Sequence, residues 1–358
     1  LDRIRVVVVD DSLFMRKWIA NMLESDPRIE VTGTASNGFE ALEKISSLKP
    51  DVVTMDIEMP GLNGLEVLKT IMEKMPLPVI MLSSTTREGA EQTIRAMEWG
   101  AFDFIQKPSG NLSLDLYKIK EDLIEKVVRA RSANLNVYLK TAARKQAGVS
   151  RTIQAEKASG ASLSGRKNKI VLVGASTGGP KALQELLINF SAEFPAPILI
   201  VQHMPAGFTK SLAERLNDVC EIPVKEAEHG ELLRNGTAYI APGGKHMEVR
   251  KLGKSLACLL SEEAPVSGHR PSVDCLFHSA SMLSGIEKIA VILTGMGSDG
   301  SQGLIALKRA GDTYAIAESE ETAVIYGMPK SAIQTGFIDQ VAPLNEIPGI
   351  LMKKVNLG

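Results

Sequence analysis

Short apolar runs alternate with amphipathic stretches along the first 125 residues. Val6–Val9 is wholly β-branched and stops at Asp10-Asp11, the pattern of a strand buried on both faces. Residues 12–25 then place Leu13, Trp18, Ile19 and Leu23 at helical spacing. The rhythm predicts further strands at 29–35, 51–55, 78–82 and 102–106, with helices at 38–48, 64–75, 88–99 and 113–130. Five β–α units at this pace imply a small doubly wound parallel sheet of the flavodoxin-like kind.

The pattern breaks near residue 131. Ala, Ser, Gly, Lys and Arg dominate to about 168, and between Lys126 and Lys181 twelve Lys or Arg accompany one acid, Glu156. Such a stretch cannot bury enough apolar surface to order itself, so 126–168 reads as a helical tail and a flexible basic linker. Docking to an acidic partner or a membrane surface is the alternative for that charge. A second α/β unit starts at Lys169, with buried strands at Ile170–Val173, Pro197–Val201 and Ile289–Leu293 and helices at 180–189, 206–218, 271–284, 299–309 and 344–353. Turn signals at Asn235-Gly236 and Pro242-Gly243-Gly244 suggest that 222–260 is a hairpin insertion. The expectation is two α/β domains, 1–125 and 169–358, the second a Rossmann-like parallel sheet with a small antiparallel hairpin.

Composition narrows the partners. A formal net charge of −1 over 358 residues gives no global field for nucleic acid or acidic lipid, so charge arguments must be local. Cys220, Cys258 and Cys275 form no CxxC pair, which leaves no disulfide framework and no zinc knuckle. The opening Leu1-Asp2-Arg3-Ile4 runs almost directly into a strand without the anatomy of a secretory leader. No apolar run approaches the ~20 residues that span a bilayer, and no helix-turn-helix signal follows the linker. A cytoplasmic protein with no nucleic-acid partner and no membrane span is expected.

In a parallel α/β sheet ligands collect at the carboxyl ends of the strands. Here those ends carry Asp10 and Asp11, then Asp56, Ser83 and Lys107. Clustered carboxylates suit a hard cation such as Mg²⁺, beside which an aspartate can attack a phosphoryl group and a lysine can offset the charge. Singly, each residue reads as a helix cap or a turn. The ordered set Asp10-Asp11-Ser12, Asp56-Ile57-Glu58-Met59-Pro60-Gly61 and Lys107-Pro108 resembles the receiver domain of two-component response regulators. The resemblance implies Asp56 as phosphoacceptor, Asp10, Asp11 and Asp56 as Mg²⁺ ligands, and Ser83 and Lys107 as sensors of the phosphoryl group. It also places Phe104 at the family's aromatic switch position.

In the second half, Gly174-Ala175-Ser176-Thr177-Gly178-Gly179-Pro180 lies between a strand and a helix. Gly-x-Ser-x-Gly in that setting exposes a serine hydroxyl on a tight turn. A phosphate loop would need Gly-Lys-Ser/Thr, where this chain has Gly179-Pro180-Lys181. On residues alone, a structural Gly-rich turn, or a binding module in which Ser176 only lines a pocket, stays open. A nucleophilic serine needs a base. Of the five histidines, His203, His229, His246, His269 and His278, only His203 follows a strand as Ser176 does. The orienting acid should also sit at a strand end, which selects Asp299 after Ile289–Leu293. Its competing role is to cap the helix that follows; Asp274, Asp312 and Asp339 have no comparable setting. Thr177, Met296, His246 and Arg270 are candidates for oxyanion or substrate contact, and His269 for binding or capping.

These segments, with Gln202-His203-Met204-Pro205, Ala241-Pro242-Gly243-Gly244-Lys245-His246-Met247, His269-Arg270-Pro271-Ser272-Val273-Asp274 and Leu293–Gly300, resemble the chemoreceptor glutamate methylesterase domain. The resemblance implies a Ser176–His203–Asp299 triad and hydrolysis of glutamyl methyl esters, with glutamine deamidation, on methyl-accepting chemotaxis receptors. It implies a chemotaxis histidine kinase as phosphodonor, Mg²⁺ in the receiver and no cofactor at the esterase site. From the architecture, the expected control is a receiver that covers the hydrolase mouth until Asp56 is phosphorylated.

Overall fold

The computed structural model describes residues 2–107, 115–133 and 168–356. In the first half, β1 (Ile4–Val9), β2 (Ile29–Ala35), β3 (Val52–Asp56), β4 (Val79–Ser83) and β5 (Asp103–Gln106) form one parallel sheet. Its order, β2-β1-β3-β4-β5, is the flavodoxin-like order. The helices are α1 (Leu13–Glu24), α2 (Gly38–Leu48), α3 (Gly64–Lys74), α4 (Arg87–Trp99) and α5 (Asp115–Ser132). Asn63 and Glu66 close a capping box at the start of α3, which fixes the turn that leaves Asp56. The helical tail expected beyond residue 125 is the end of α5; the rest of the expected linker, 134–167, lies outside the described residues.

The second half builds a seven-stranded parallel sheet from β6 (Asn168–Ala175), β7 (Ile198–Gln202), β8 (Val224–Glu226), β9 (Ala238–Ile240), β12 (Ile286–Ile292), β13 (Thr313–Glu318) and β14 (Gln340–Ala342). The strand order is β14-β13-β12-β6-β7-β9-β8. β10 (His246–Leu252) and β11 (Ser255–Ser261) pair separately as an antiparallel hairpin. The connecting helices are α6 (Gly179–Leu187), α7 (Phe208–Val219), α8 (Val273–Ser281), α9 (Ser301–Ala310), α10 (Met328–Gln334) and α11 (Ile347–Asn356). The two-domain parallel architecture with a hairpin is therefore as the sequence pattern predicts.

One expectation needs correction. Only 246–261 is a hairpin; the earlier part of 222–260 supplies β8 and β9, which extend the main sheet in parallel. At three residues each they are too short to carry a periodic signal, and Asn235-Gly236 turns into β9 rather than closing a hairpin. β13, β14 and α10 are likewise unmarked in the sequence, being short or broken by alanines.

Alternation along β6 explains why the second sheet is covered on both faces. Val171 and Val173 point into one core, Ile170 and Leu172 into the other, as a period of two requires. The Val171 face is continuous with the core of the first sheet, through Phe104 on β5 stacked on Phe208 of α7 with ring centroids 4.7 Å apart. Around this stack Arg215 of α7 makes a forked pair with Glu98 of α4 at 2.7 and 3.1 Å, and Arg87 reaches Glu214 at 3.4 Å. The α4–β5–α5 side of the first unit thus lies against the carboxyl edge of the second sheet. Among the described residues no helix is long and apolar enough to cross a membrane.

Phe277 on α8 is fully buried in the second core. Phe277→Ala should therefore cost about 3–5 kcal/mol, read as a lower urea midpoint; an unchanged midpoint would contradict this packing.

Candidate active site

Four neighbouring strands, β13, β12, β6 and β7, bring their carboxyl ends together. Beyond β6 lies Ser176. Its amide donates to the Thr294 carbonyl at 3.0 Å, and its carbonyl accepts from Gly179 N at 2.7 Å and Gln202 Nε2 at 2.9 Å. Gly178 has φ +78°, the left-handed region that a side chain resists, and so allows the chain to turn into α6. Gly295 lets the loop after β12 approach closely, since a Cβ there would meet the Ser176 Cβ at 2.8 Å. The amides of Thr177 and Met296 donate to no protein group among the described residues.

His203 follows β7. Its Nε2 lies 2.8 Å from Asp299 Oδ2, while Nδ1 is buried with no partner among the described residues. Asp299 is held by three further donors: Val273 N to Oδ2 at 2.7 Å, Asp274 N to Oδ1 at 2.9 Å and Ser272 Oγ to Oδ1 at 2.8 Å. Burial alone would raise its pKa, but the His203 hydrogen bond and charge and the α8 amides outweigh it and hold the carboxyl at about 2. The ring of His269 stacks on that of His203, with centroids 3.9 Å apart and planes 5° from parallel. Burial, then the neighbouring His203, depresses His269 to about 4, so it stays neutral near pH 7.

At the first sheet, Asp10, Asp11 and Asp56 bring carboxylate oxygens within 4.8 Å of one another. Lys107 Nζ lies 2.7 Å from Asp56 Oδ2 and 2.9 Å from Asp10 Oδ2. Burial raises Asp56 to about 6 against the pull of Lys107, while Asp56 and Asp10 raise Lys107 despite its own burial. An all-carboxylate set of this kind fits Mg²⁺, which takes oxygen ligands, and would not favour a soft metal.

Comparison with known proteins now bears on both sites. Residues 171–351 match the CheB methylesterase model, and residues 6–116 match the response regulator receiver domain. A protein-glutamate methylesterase/protein-glutamine glutaminase of Halalkalibacterium halodurans is 56% identical over 352 residues, covering 98% of both chains. The enzyme of that name from Bacillus subtilis is 50% identical over 352 residues, 96% of both chains. The chain belongs to the CheB methylesterase family. A crystal structure of the Thermotoga maritima CheB methylesterase catalytic domain is 44% identical, with a TM-score of 0.51, and aligns with 53% of this chain and 100% of its own.

Set in a CheB methylesterase, the residues expected from the sequence fall into three groups. Ser176, His203, Asp299, Thr177 and Met296 come together, although Ser176 Oγ makes no hydrogen bond to His203 among the described residues. His246 and Arg270 are spent elsewhere. His246 Nε2 bonds the Ala264 carbonyl at 3.1 Å, and Arg270 Nη1 donates to the carbonyls of Glu262 and Glu263. In the receiver, Asp10, Asp11, Asp56 and Lys107 converge, but Ser83 makes no hydrogen bond to Asp56 among the described residues. Its hydroxyl donates to Gly89 O at 3.1 Å and accepts from Thr93 Oγ1 at 2.6 Å, both on α4.

Two roles differ from those the sequence suggests. Asp299 does not cap its own helix; its carboxylate binds the first amides of α8, and Gly300 stands at the start of α9. Asp274, which has no strand-end setting in the sequence, mirrors it. The Asp274 Oδ1 accepts from Gly300 N at 2.9 Å and Gly303 N at 2.7 Å. The two helix starts are cross-tied by two carboxylates. A lone acid in a first helical turn carries no sequence mark of such a distant bond.

Asp299→Asn would present an amide N–H to donors that need an acceptor. The variant should lose about ten-thousand-fold in kcat, as when an orienting carboxylate of a serine–histidine–aspartate triad is neutralised. The depressed native pKa also stabilises the fold above the unfolded value near 3.8, and that gain is lost as pH falls towards 2. A urea midpoint that drops over this window in wild type should drop less steeply in Asp299→Asn; equal slopes would contradict the assignment.

Proposed function

We propose that this chain is a phosphorylation-controlled protein-glutamate methylesterase and protein-glutamine glutaminase acting on methyl-accepting chemotaxis receptors. Residues 1–125 sense, 126–168 tether and 169–358 catalyse. What supports the reading is that Ser176 and the bonded pair His203–Asp299 follow the neighbouring strands β6, β7 and β12, with Thr177, next to Ser176, bonded to Asp103 of the receiver's β5. Because Nε2 of His203 is taken by Asp299, Nδ1 is the atom left to accept the Ser176 proton. This reverses the use of the two nitrogens in the chymotrypsin-like arrangement.

Ser176 Oγ attacks the γ-carbonyl carbon of a glutamyl methyl ester as its proton passes to His203 Nδ1. The Asp299 carboxylate stabilises the imidazolium, and the stacked, neutral His269 holds the ring plane without adding a like charge. The free amides of Thr177 and Met296 receive the oxyanion, each worth about 2.7–4 kcal/mol in the transition state. The C–O bond of the ester, or the C–N bond of a glutamine amide, breaks as Nδ1 returns the proton to the leaving group, releasing methanol or ammonia. Water then cleaves the acyl-enzyme through the same base, leaving a free glutamate and regenerating Ser176. Thr177, Met296 and His269 thus join the triad, while His246 and Arg270 shape the wall formed by 262–264.

Control follows from what touches this site. Thr177 Oγ1 donates to Asp103 of β5, so the receiver grips the residue next to the nucleophile. Val324, Ile325 and Met296 pack into the receiver's core, and Phe104 is lodged on Phe208. A histidine kinase of the chemotaxis system supplies the phosphoryl group to Asp56. Asp10, Asp11 and Asp56 would hold Mg²⁺, whose charge when bound offsets that of the transferred group. Once Asp56 is phosphorylated, Ser83 leaves Gly89 and Thr93 for the phosphoryl oxygens. α4 and Phe104 move with it, and the face that holds α7 is lost.

Methanol release from methylated chemoreceptor membranes, with and without acetyl phosphate plus Mg²⁺, tests the chemistry. Ser176→Ala should abolish release, and residual turnover above background would reject the serine mechanism. Arg215→Glu should raise the rate without phosphodonor, and adding Glu98→Arg should lower it again. A rate that Arg215→Glu leaves unchanged would reject occlusion by this interface.

A further inference from the structure

Glu318, the last residue of β13, has no solvent exposure. Its Oε2 accepts a hydrogen bond from Thr294 N at 2.7 Å. Thr294 is where the nucleophile turn and the loop after β12 are tied together. Its carbonyl receives the Ser176 amide at 3.0 Å, and its hydroxyl donates to the Thr177 carbonyl at 2.9 Å and accepts from Ile325 N at 3.0 Å. Gly295 continues the tie, with its carbonyl accepting from Gly327 N and Met328 N at 3.1 and 2.8 Å. The Ser176 amide and the Thr177 carbonyl are thus both tied to one residue, whose own amide rests on Glu318, while the peptides that carry the flanking Thr177 and Met296 N–H groups are held through the Ser176 and Gly295 carbonyls on either side of it.

We propose that Glu318 is a positioning residue of the esterase site: its side-chain oxygen fixes the Thr294 peptide, and through it the nucleophile and the oxyanion donors. The inference rests on the reading of Ser176 as nucleophile. A buried acid is a costly way to satisfy one amide and the neighbouring Thr322 hydroxyl, and no ion pair reaches Glu318 among the described residues. The carboxyl does not need its charge to hold that amide. Burial pushes its pKa up to about 7 against the pull of the Thr294 amide and the Thr322 hydroxyl, which limits negative charge near a site where an oxyanion must form. What the site requires from position 318 is an acceptor oxygen at the right place, and a glutamine supplies one.

The test compares Glu318→Ala, Glu318→Met, Glu318→Gln and Ser176→Ala in the full chain, activated with acetyl phosphate and Mg²⁺. Methanol release is measured across a range of methylated receptor concentrations, and the urea midpoint of each variant is recorded alongside. Glu318→Ala, and Glu318→Met if alanine fails to fold, should lower kcat roughly 10- to 100-fold, the usual penalty for a small misplacement of reacting groups. KM should stay within about threefold, and Glu318→Gln should restore kcat to within about threefold of wild type. Unchanged kcat in a folded Glu318→Ala or Glu318→Met, a loss carried by KM, or a folded Glu318→Gln no better than alanine would each overturn the proposal. The serine control separates the two readings: turnover surviving Ser176→Ala removes the nucleophile assignment itself. Turnover lost in Ser176→Ala but intact in Glu318→Ala removes Glu318 alone.

Discussion

The bond between Asp299 and the start of α8 is the constraint on which the site depends. A carboxylate seated on the first amides of a helix is favoured by both the unpaired N–H groups and the helix dipole. Here that seat leaves one lone-pair direction for His203 Nε2. The histidine is therefore oriented by a group that cannot itself turn. Asp274 completes the arrangement from the other side by holding the amides that follow Asp299. Two helices and the loop between β12 and α9 are fixed by two buried acids, each seated on backbone amides, with His203 as the further partner of Asp299. The same hydrogen bonds that tie the two helix starts also fix the His203 ring.

The receiver uses the same economy. It does not fill a deep pocket; it places one aromatic ring, one carboxylate and one charged pair on the rim of the hydrolase. Phe104 on Phe208 supplies apolar area, Asp103 takes the Thr177 hydroxyl, and Glu98 with Arg215 adds a directional fork. All three receiver residues lie on α4, to which Ser83 is bonded through Gly89 and Thr93, or on β5, which pairs with the strand that ends at Ser83. A change at Asp56 that recruits the Ser83 hydroxyl therefore acts on the face that makes the interface. Coupling requires only that this face have two arrangements.

Much of this is legible from the sequence because the chemistry lies where apolar runs end. Asp10, Asp56, Ser176, His203 and Asp299 each follow a buried strand, and a parallel sheet gathers such ends along one edge. The strands themselves are clear where they are continuous apolar runs rich in β-branched residues, as in Val6–Val9 or Ile198–Val201. β8, β9 and β14, at three residues each, owe their pairing to the sheet they join rather than to any pattern of their own. Asp274 and Glu318 escape a sequence reading for a different reason. Their partners are amides far away in the chain, and an acid in a first turn or at a strand end is ordinary in sequence. Nor does any local pattern indicate which nitrogen of His203 meets Asp299, or that Phe208 would receive Phe104. Those are products of packing between distant segments.

The central claim is that Ser176 is a nucleophile held under the receiver until Asp56 is modified. Its most direct measurement is the rate at which a serine-reactive fluorophosphonate labels the full chain, with the labelled residue located by peptide mapping. The comparison is between the free protein and the protein treated with beryllofluoride and Mg²⁺ to mimic phosphorylation. The account predicts label on Ser176 alone, gained faster after treatment. Label on another residue, or a rate on Ser176 that treatment leaves unchanged, would contradict it.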